Sequence, residues 1–185
     1  MIRALLLLIL LTTAASAGPW PRGEGKSFLS FSLDLDVEEL DDNSGSIYFE
    51  YGLRNGRTFV LEIQGNEYDF GKALAIIRFP IGPPDRKLKL AYDVGIGAAD
   101  DQPALRAGVS IGGNLSVAAK TGWWSIDSQA IFTTDHDEGT YKSDITFGMQ
   151  VTARIKSISQ LQGGAPAGGD SYAKFAQSLV FQTSE

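Results

Sequence analysis

Residues 28–37 read FLSFSLDLDV, with Leu29, Phe31, Leu33, Leu35 and Val37 on one parity and Ser30, Ser32, Asp34 and Asp36 on the other. A period of two is the signature of a β-strand with one apolar and one polar face. The rhythm returns along the chain, over residues 46–53, 58–64, 72–79, 87–97, 104–111, 123–133, 142–151, 154–162 and 171–182. Turn chemistry separates these stretches, as in a sandwich or barrel. Asn55-Gly56 is the strongest hairpin signal, and Pro80, Pro83 and Pro84 fall where a proline costs no ladder bond. The reading is all-β and antiparallel, with ten strands, or nine if 154–162 continues its predecessor. Residues 163–169, GGAPAGG, read as a loop.

The first seventeen residues carry a different pattern. Arg3 precedes the apolar run Ala4–Leu11, and Ala15-Ser16-Ala17 is a small-residue cleavage site. That is a secretory signal peptide, too short for a transmembrane helix. Cleavage after Ala17 removes one charge, Arg3, so the 185-residue chain of formal charge −6 becomes 168 residues of charge −7. Residues 18–185 then form one domain. The acidic balance disfavours nucleic acid, which needs a basic footprint. With no cysteine, an exported chain has neither a disulfide framework nor thiolate metal ligands, which leans toward a closed hydrogen-bonded sheet.

Alternation alone does not say which face is buried. Three features favour an up-and-down transmembrane barrel with the apolar parity toward lipid. Ionisable residues of both signs occupy the polar parity: Asp34, Asp36, Glu50, Glu62, Asp93, Asp127 and Asp144 against Lys72, Arg78, Lys87, Lys89, Arg106 and Lys174. They are expected to form a lumen charge network, with Lys72, Arg78, Lys87 and Lys89 as partners for Asp34 and Asp36. Aromatic residues stand near strand ends, as interfacial girdles do: Phe28, Tyr51, Tyr68, Phe70, Phe79, Tyr92, Trp123, Trp124, Tyr141 and Tyr172. Loop charge is also segregated. Odd connections hold Glu38, Glu39, Asp41, Asp42, Glu67, Asp69, Asp100, Asp101, Asp135, Asp137, Glu138 and Asp170. Even ones hold Arg54, Arg57, Arg86, Lys120 and Arg154, with Asp85 as the one acid.

The opening GPWPRGEGKSFLSFS places Gly18, Trp20, Pro21, Arg22, Gly25 and Phe28 in a Gly-x-Trp-Pro-Arg, Gly-x-x-Phe arrangement. In this the chain resembles an uncharacterised alphaproteobacterial group of small Gram-negative outer-membrane β-barrel proteins. The resemblance implies outer-membrane lipid, lipopolysaccharide and the barrel-assembly machinery as partners, and a monomer. One departure is the ending FQTSE, since such barrels usually close on an aromatic residue. Either the barrel closes at ten strands without that signal, or the chain is truncated and its barrel closes poorly.

Candidate chemistry is sparse. His136, the one histidine, sits in Asp135-His136-Asp137-Glu138. Omptin-type surface proteases are ten-stranded barrels with His and Asp pairs at the rim, and Asp41-Asp42 or Asp100-Asp101 could supply a second pair. The competing reading is a solvated acidic loop. Asp135, Asp137 and Glu138 offer weak cation binding without the ligand spacing of a dedicated metal loop. Gly95-Ile96-Gly97 lacks the third glycine and the helix of a nucleotide motif, and reads as small lumen-facing residues. No cofactor and no enzymatic activity are expected. The leading expectation is a structural or narrow-passage role. The rival is a soluble periplasmic barrel or sandwich binding a hydrophobic ligand, with Leu29, Phe31, Leu33 and Leu35 pointing inward.

Overall fold

The computed structural model describes residues 18–34, 44–66, 70–117, 120–134, 139–152 and 154–181. Ten strands follow one another: β1 Ser27–Asp34, β2 Ser44–Gly52, β3 Thr58–Asn66, β4 Phe70–Ile81, β5 Leu88–Ala99, β6 Gln102–Val117, β7 Lys120–Thr133, β8 Thr140–Thr152, β9 Ile155–Ala165 and β10 Tyr172–Phe181. Each pairs antiparallel with its sequence neighbours in a single sheet of order β1 to β10. Stretch 154–162 is therefore a strand of its own. A register shift between Gln150 and Thr152 precedes the reversal, and Thr152 then faces Ile155. Residues 163–165, expected in a loop, belong to β9, where Gly163 and Gly164 pair with Ala173 and Tyr172.

The tight turns follow their sequence chemistry. Asn55 and Gly56 adopt φ of 59° and 70° between β2 and β3. Asp100 and Asp101, at 49° and 59°, make the two-residue turn between β5 and β6. In the Asp100-Asp101 turn, positive φ at both central positions matches the right-handed twist of a hairpin.

The sheet curls until Tyr48 from β2 and Gln160 from β9 border one interior cavity. Among the described residues β1 and β10 do not pair, so the curled sheet is open along that seam. Consecutive strands reverse direction, so connections alternate between the two ends. Asp100, Asp101 and Asp170 therefore lie at one end, and Arg54, Arg57, Arg86 and Arg154 at the other.

The two faces are inverted relative to a water-soluble protein. On β5, Asp93 is 3% exposed and Ala91 is buried, while their neighbours Tyr92, Val94 and Ile96 stand outside, Ile96 at 66%. Leu29 and Phe31 are 46% and 53% exposed. Leu105, Val109, Phe147, Leu161, Phe175 and Leu179 extend the same apolar surface around the sheet. The concave side holds Glu50, Thr58, Arg78, Ser110, Ser125 and Thr146. It also holds a small apolar cluster of Val60, Leu74, Ile76, Ala99, Ala104 and Ile131, with Tyr48 packed against it.

Candidate functional site

The interior charges are arranged by register. Arg78 on β4 faces Asp93 on β5, and both belong to the inward parity. Glu50 on β2 is brought alongside by the curl. Arg78 donates from Nη1 to Glu50 Oε1 at 3.2 Å, and its Nε lies 3.9 Å from Asp93 Oδ2. Arg106 on β6 bridges Asp93 Oδ1 and Glu62 Oε2, at 3.5 Å each. Lys72 donates to Glu62 Oε1 at 3.0 Å. Arg22 closes the other end of the series, donating from Nε to Glu50 Oε2 at 2.9 Å, and Tyr48 donates its hydroxyl to Glu50 Oε1 at 2.8 Å. The result is an alternating chain, Arg22–Glu50–Arg78–Asp93–Arg106–Glu62–Lys72, tying β2 through β6 together from inside.

Buried charges are tolerable only when paired, because desolvating each ion costs several kcal/mol. Space for them is made by small residues. A Cβ at Gly108 would stand 2.6 Å from Asp93 Oδ1, so only glycine leaves room for that carboxylate. Across the interior, Asp127 on β7 directly faces Asp144 on β8. Asp144 is paired with Lys142 at 3.1 Å, and Asp127 accepts from Ser125 Oγ at 2.9 Å. A polar cavity of about 160 Å³ lies between this group and the arginine chain.

The N-terminal segment enters this interior. Arg78 Nη1 donates to the Gly18 carbonyl at 3.0 Å, Pro19 is fully buried, and the Arg22 amide donates to Thr58 Oγ1 at 3.0 Å. Trp20 lines a second cavity of about 330 Å³ with Asn114, Thr121, Trp123 and Lys156. Residues 23–26 then turn back against β2, with Gly25 donating to the Gly52 carbonyl at 2.9 Å. The segment fills the end of the interior nearest the basic connections.

Of the thirteen residues expected in a charge network, the structure brings together Glu50, Glu62, Lys72, Arg78, Asp93 and Arg106, and places Asp127 and Asp144 across the cavity from them. Three lysines stand apart from this network. Lys87 is exposed, because the Pro83-Pro84 turn runs on to it and β5 begins only at Leu88. Lys89 lies at the mouth, where its long side chain reaches the Pro84 carbonyl in the turn. Lys174 is exposed on the edge strand β10, its Nζ 5.7 Å from the Tyr172 ring centre. The Asp34 side chain and Asp36 lie outside the described residues, and Arg78 and Lys72, expected as their partners, engage Glu50, Asp93 and Glu62 instead.

Two expected girdle residues face inward. Phe28 shares the parity of Ser30, pairs with Glu50 and lies under the Arg22 guanidinium at 5.0 Å. Trp123 lines the second cavity. Phe79 and Tyr92 do form a stacked pair, 5.0 Å apart, with Arg57 5.4 Å from the Phe79 ring. Tyr68, His136, Asp135, Asp137 and Glu138 lie outside the described residues, as do Asp41 and Asp42. Among the described residues no cluster of three or more His, Cys, Asp or Glu could hold a metal ion.

Arg22, Lys142 and the apolar cluster were missed by the sequence reading. Lys142 shares the parity of Asp144 and Thr146, which is the signal that could have found it. Comparison with models of protein families, with curated proteins and with solved structures finds no match.

Proposed function

We propose that this chain is an outer-membrane β-barrel protein whose interior is closed by its own charges and N-terminal segment, giving it a structural role or at most a narrow polar passage. One observation carries the reading: the apolar parity is exposed on the outside while arginine, aspartate and glutamate are buried inside. In water, exposed apolar patches on a monomer seldom exceed roughly 300–600 Å². A surface of Leu, Ile, Val and Phe running around the sheet instead suits hydrocarbon as its solvent. Strands of 8 to 16 residues are compatible with the roughly 9–11 needed to cross a bilayer at a tilt.

Export follows from the leader ending at Ala17, and insertion calls on the barrel-assembly machinery, as the Gly18–Phe28 resemblance implies. The basic connections then belong to the periplasmic end and the acidic ones to the outer rim facing lipopolysaccharide. The soluble ligand-binding alternative needs Leu29 and Phe31 inside, which is opposite to their exposure. Cell fractionation tests the proposal, with the mature protein expected only in the detergent-extracted outer membrane. Recovery in the detergent-free periplasmic fraction would overturn it. In planar bilayers the closed interior predicts silence, and steady open-channel steps would replace the structural role with a pore.

A further inference from the structure

We infer that the α-ammonium group of Gly18, created by cleavage after Ala17, is a structural cation of the interior, seated against the Asp127–Asp144 pair. The inference rests on the exported-barrel reading only in requiring removal of the leader. Asp127 and Asp144 are direct cross-strand neighbours, an arrangement that like charges destabilise. Lys142 serves one oxygen of Asp144, whereas Asp144 Oδ1 is buried without a hydrogen bond. Asp127 has Ser125 as its hydrogen-bond donor and no ion pair among the described residues.

Gly18 borders the same cavity as both carboxylates. It is held from two sides. Its carbonyl accepts from Arg78, and its backbone lies so close to β7 that a Cβ would stand 2.8 Å from Ser125 Cβ and 3.0 Å from Ser125 Oγ. That Ser125 hydroxyl is the one bonded to Asp127. This contact leaves little room for a side chain at residue 18. In the uncleaved chain the Gly18 nitrogen is a neutral amide. After cleavage it carries a positive charge on the border of the cavity that both carboxylates line, where only Asp144 has an ion-pair partner among the described residues. Removal of the leader would thus give Asp127 a cationic neighbour as well as release the protein.

The test begins with the intact mass of protein extracted from the membrane, expected to correspond to a chain starting at Gly18. The mature chain is then refolded with its α-amine free or acetylated. Acetylation in denaturant at about pH 6.5 is selective, because an α-amine titrates near 7.7–8.0 and lysine near 10.4. Acetylation is expected to lower the melting temperature by about 3–6 °C, the shift for a roughly tenfold loss in a chain this size. In Asp127→Asn the same modification should change it by less than about 1 °C. Equal losses in both backgrounds would overturn the inference, as would a native mass beginning elsewhere with the protein still in the membrane. If Asp127→Asn does not fold, titration of the 15N-labelled Gly18 amine decides. A midpoint above the ordinary 7.7–8.0 supports the pairing, and one at or below it refutes it.

Discussion

Arg78 and Asp93 occupy directly opposed positions on β4 and β5, and the same arginine reaches Glu50 on β2 and the backbone of Gly18. One guanidinium therefore joins three strands and the N-terminal segment. Its planar fork of five donors suits that task in a way an ammonium group does not. Arg78→Ala leaves Glu50 to Arg22 and Asp93 to Arg106, one cation short in a buried chain, and the loss should approach the about 3–5 kcal/mol of breaking a buried pair from one side. Arg78→Lys should recover only part of this. Denaturant titration of the refolded protein checks both, and a loss within about 0.5 kcal/mol for Arg78→Ala would contradict the network's role.

The Asp93 carboxylate depends on the empty space at Gly108. Gly108→Ala puts a methyl group 2.6 Å from Asp93 Oδ1, which must push the carboxylate off Arg106 or bend β6. Overpacking of this kind costs about 1–3 kcal/mol. The same titration should show this loss. In an Asp93→Ala background the penalty should shrink, because the side-chain atoms it collides with are gone.

The outer face answers to its solvent. Val94 is exposed near the middle of β5. Val94→Arg should destabilise the protein in lipid by about 2–4 kcal/mol, as a cation does at the bilayer midplane. On a soluble protein the same exposed substitution would lie within about 0.5 kcal/mol of neutral. Refolding yield and stability in liposomes separate the two.

Much of this fold is legible in the sequence. The ten-strand rhythm, the Asn55-Gly56 turn and the parity of each charged residue can be read because alternation and turn chemistry are local properties. What the sequence hides is non-local. Nothing periodic marks residues 18–22 as an interior segment, since their burial depends on Arg78, Thr58 and Ser125, contributed by strands far along the chain. Phe28 and Trp123 read as girdle residues because an aromatic ring suits an interface as well as an interior gap beside a guanidinium. Leu74 to Ile77 is apolar on both parities, so Leu74 and Ile76 gave no sign that the concave side would carry an apolar cluster among its charges. Lys87 and Lys89 differ from Lys72 only in their distance from the Pro83-Pro84 turn.

The open seam must be satisfied in a membrane, where unpaired N–H and C=O groups each cost several kcal/mol. The chain has no native cysteine, so Ser30→Cys on β1 can be combined with cysteine at Lys174, Ala176 or Ser178 on β10, which share its inward parity. The barrel reading predicts an intramolecular disulfide for one of the three combinations in membrane-embedded protein. Cross-links formed solely between copies would show that the two edges meet different partners.

The central claim is that the apolar face meets lipid and the charged face does not. It is tested most directly by single-cysteine labelling along β6 with an environment-sensitive fluorophore, read against brominated lipid in liposomes. Labels at Leu105→Cys, Ala107→Cys and Val109→Cys are predicted to be quenched, and labels at Ala104→Cys and Ser110→Cys to be spared. Quenching at the second set, or at none of the five, would contradict the account.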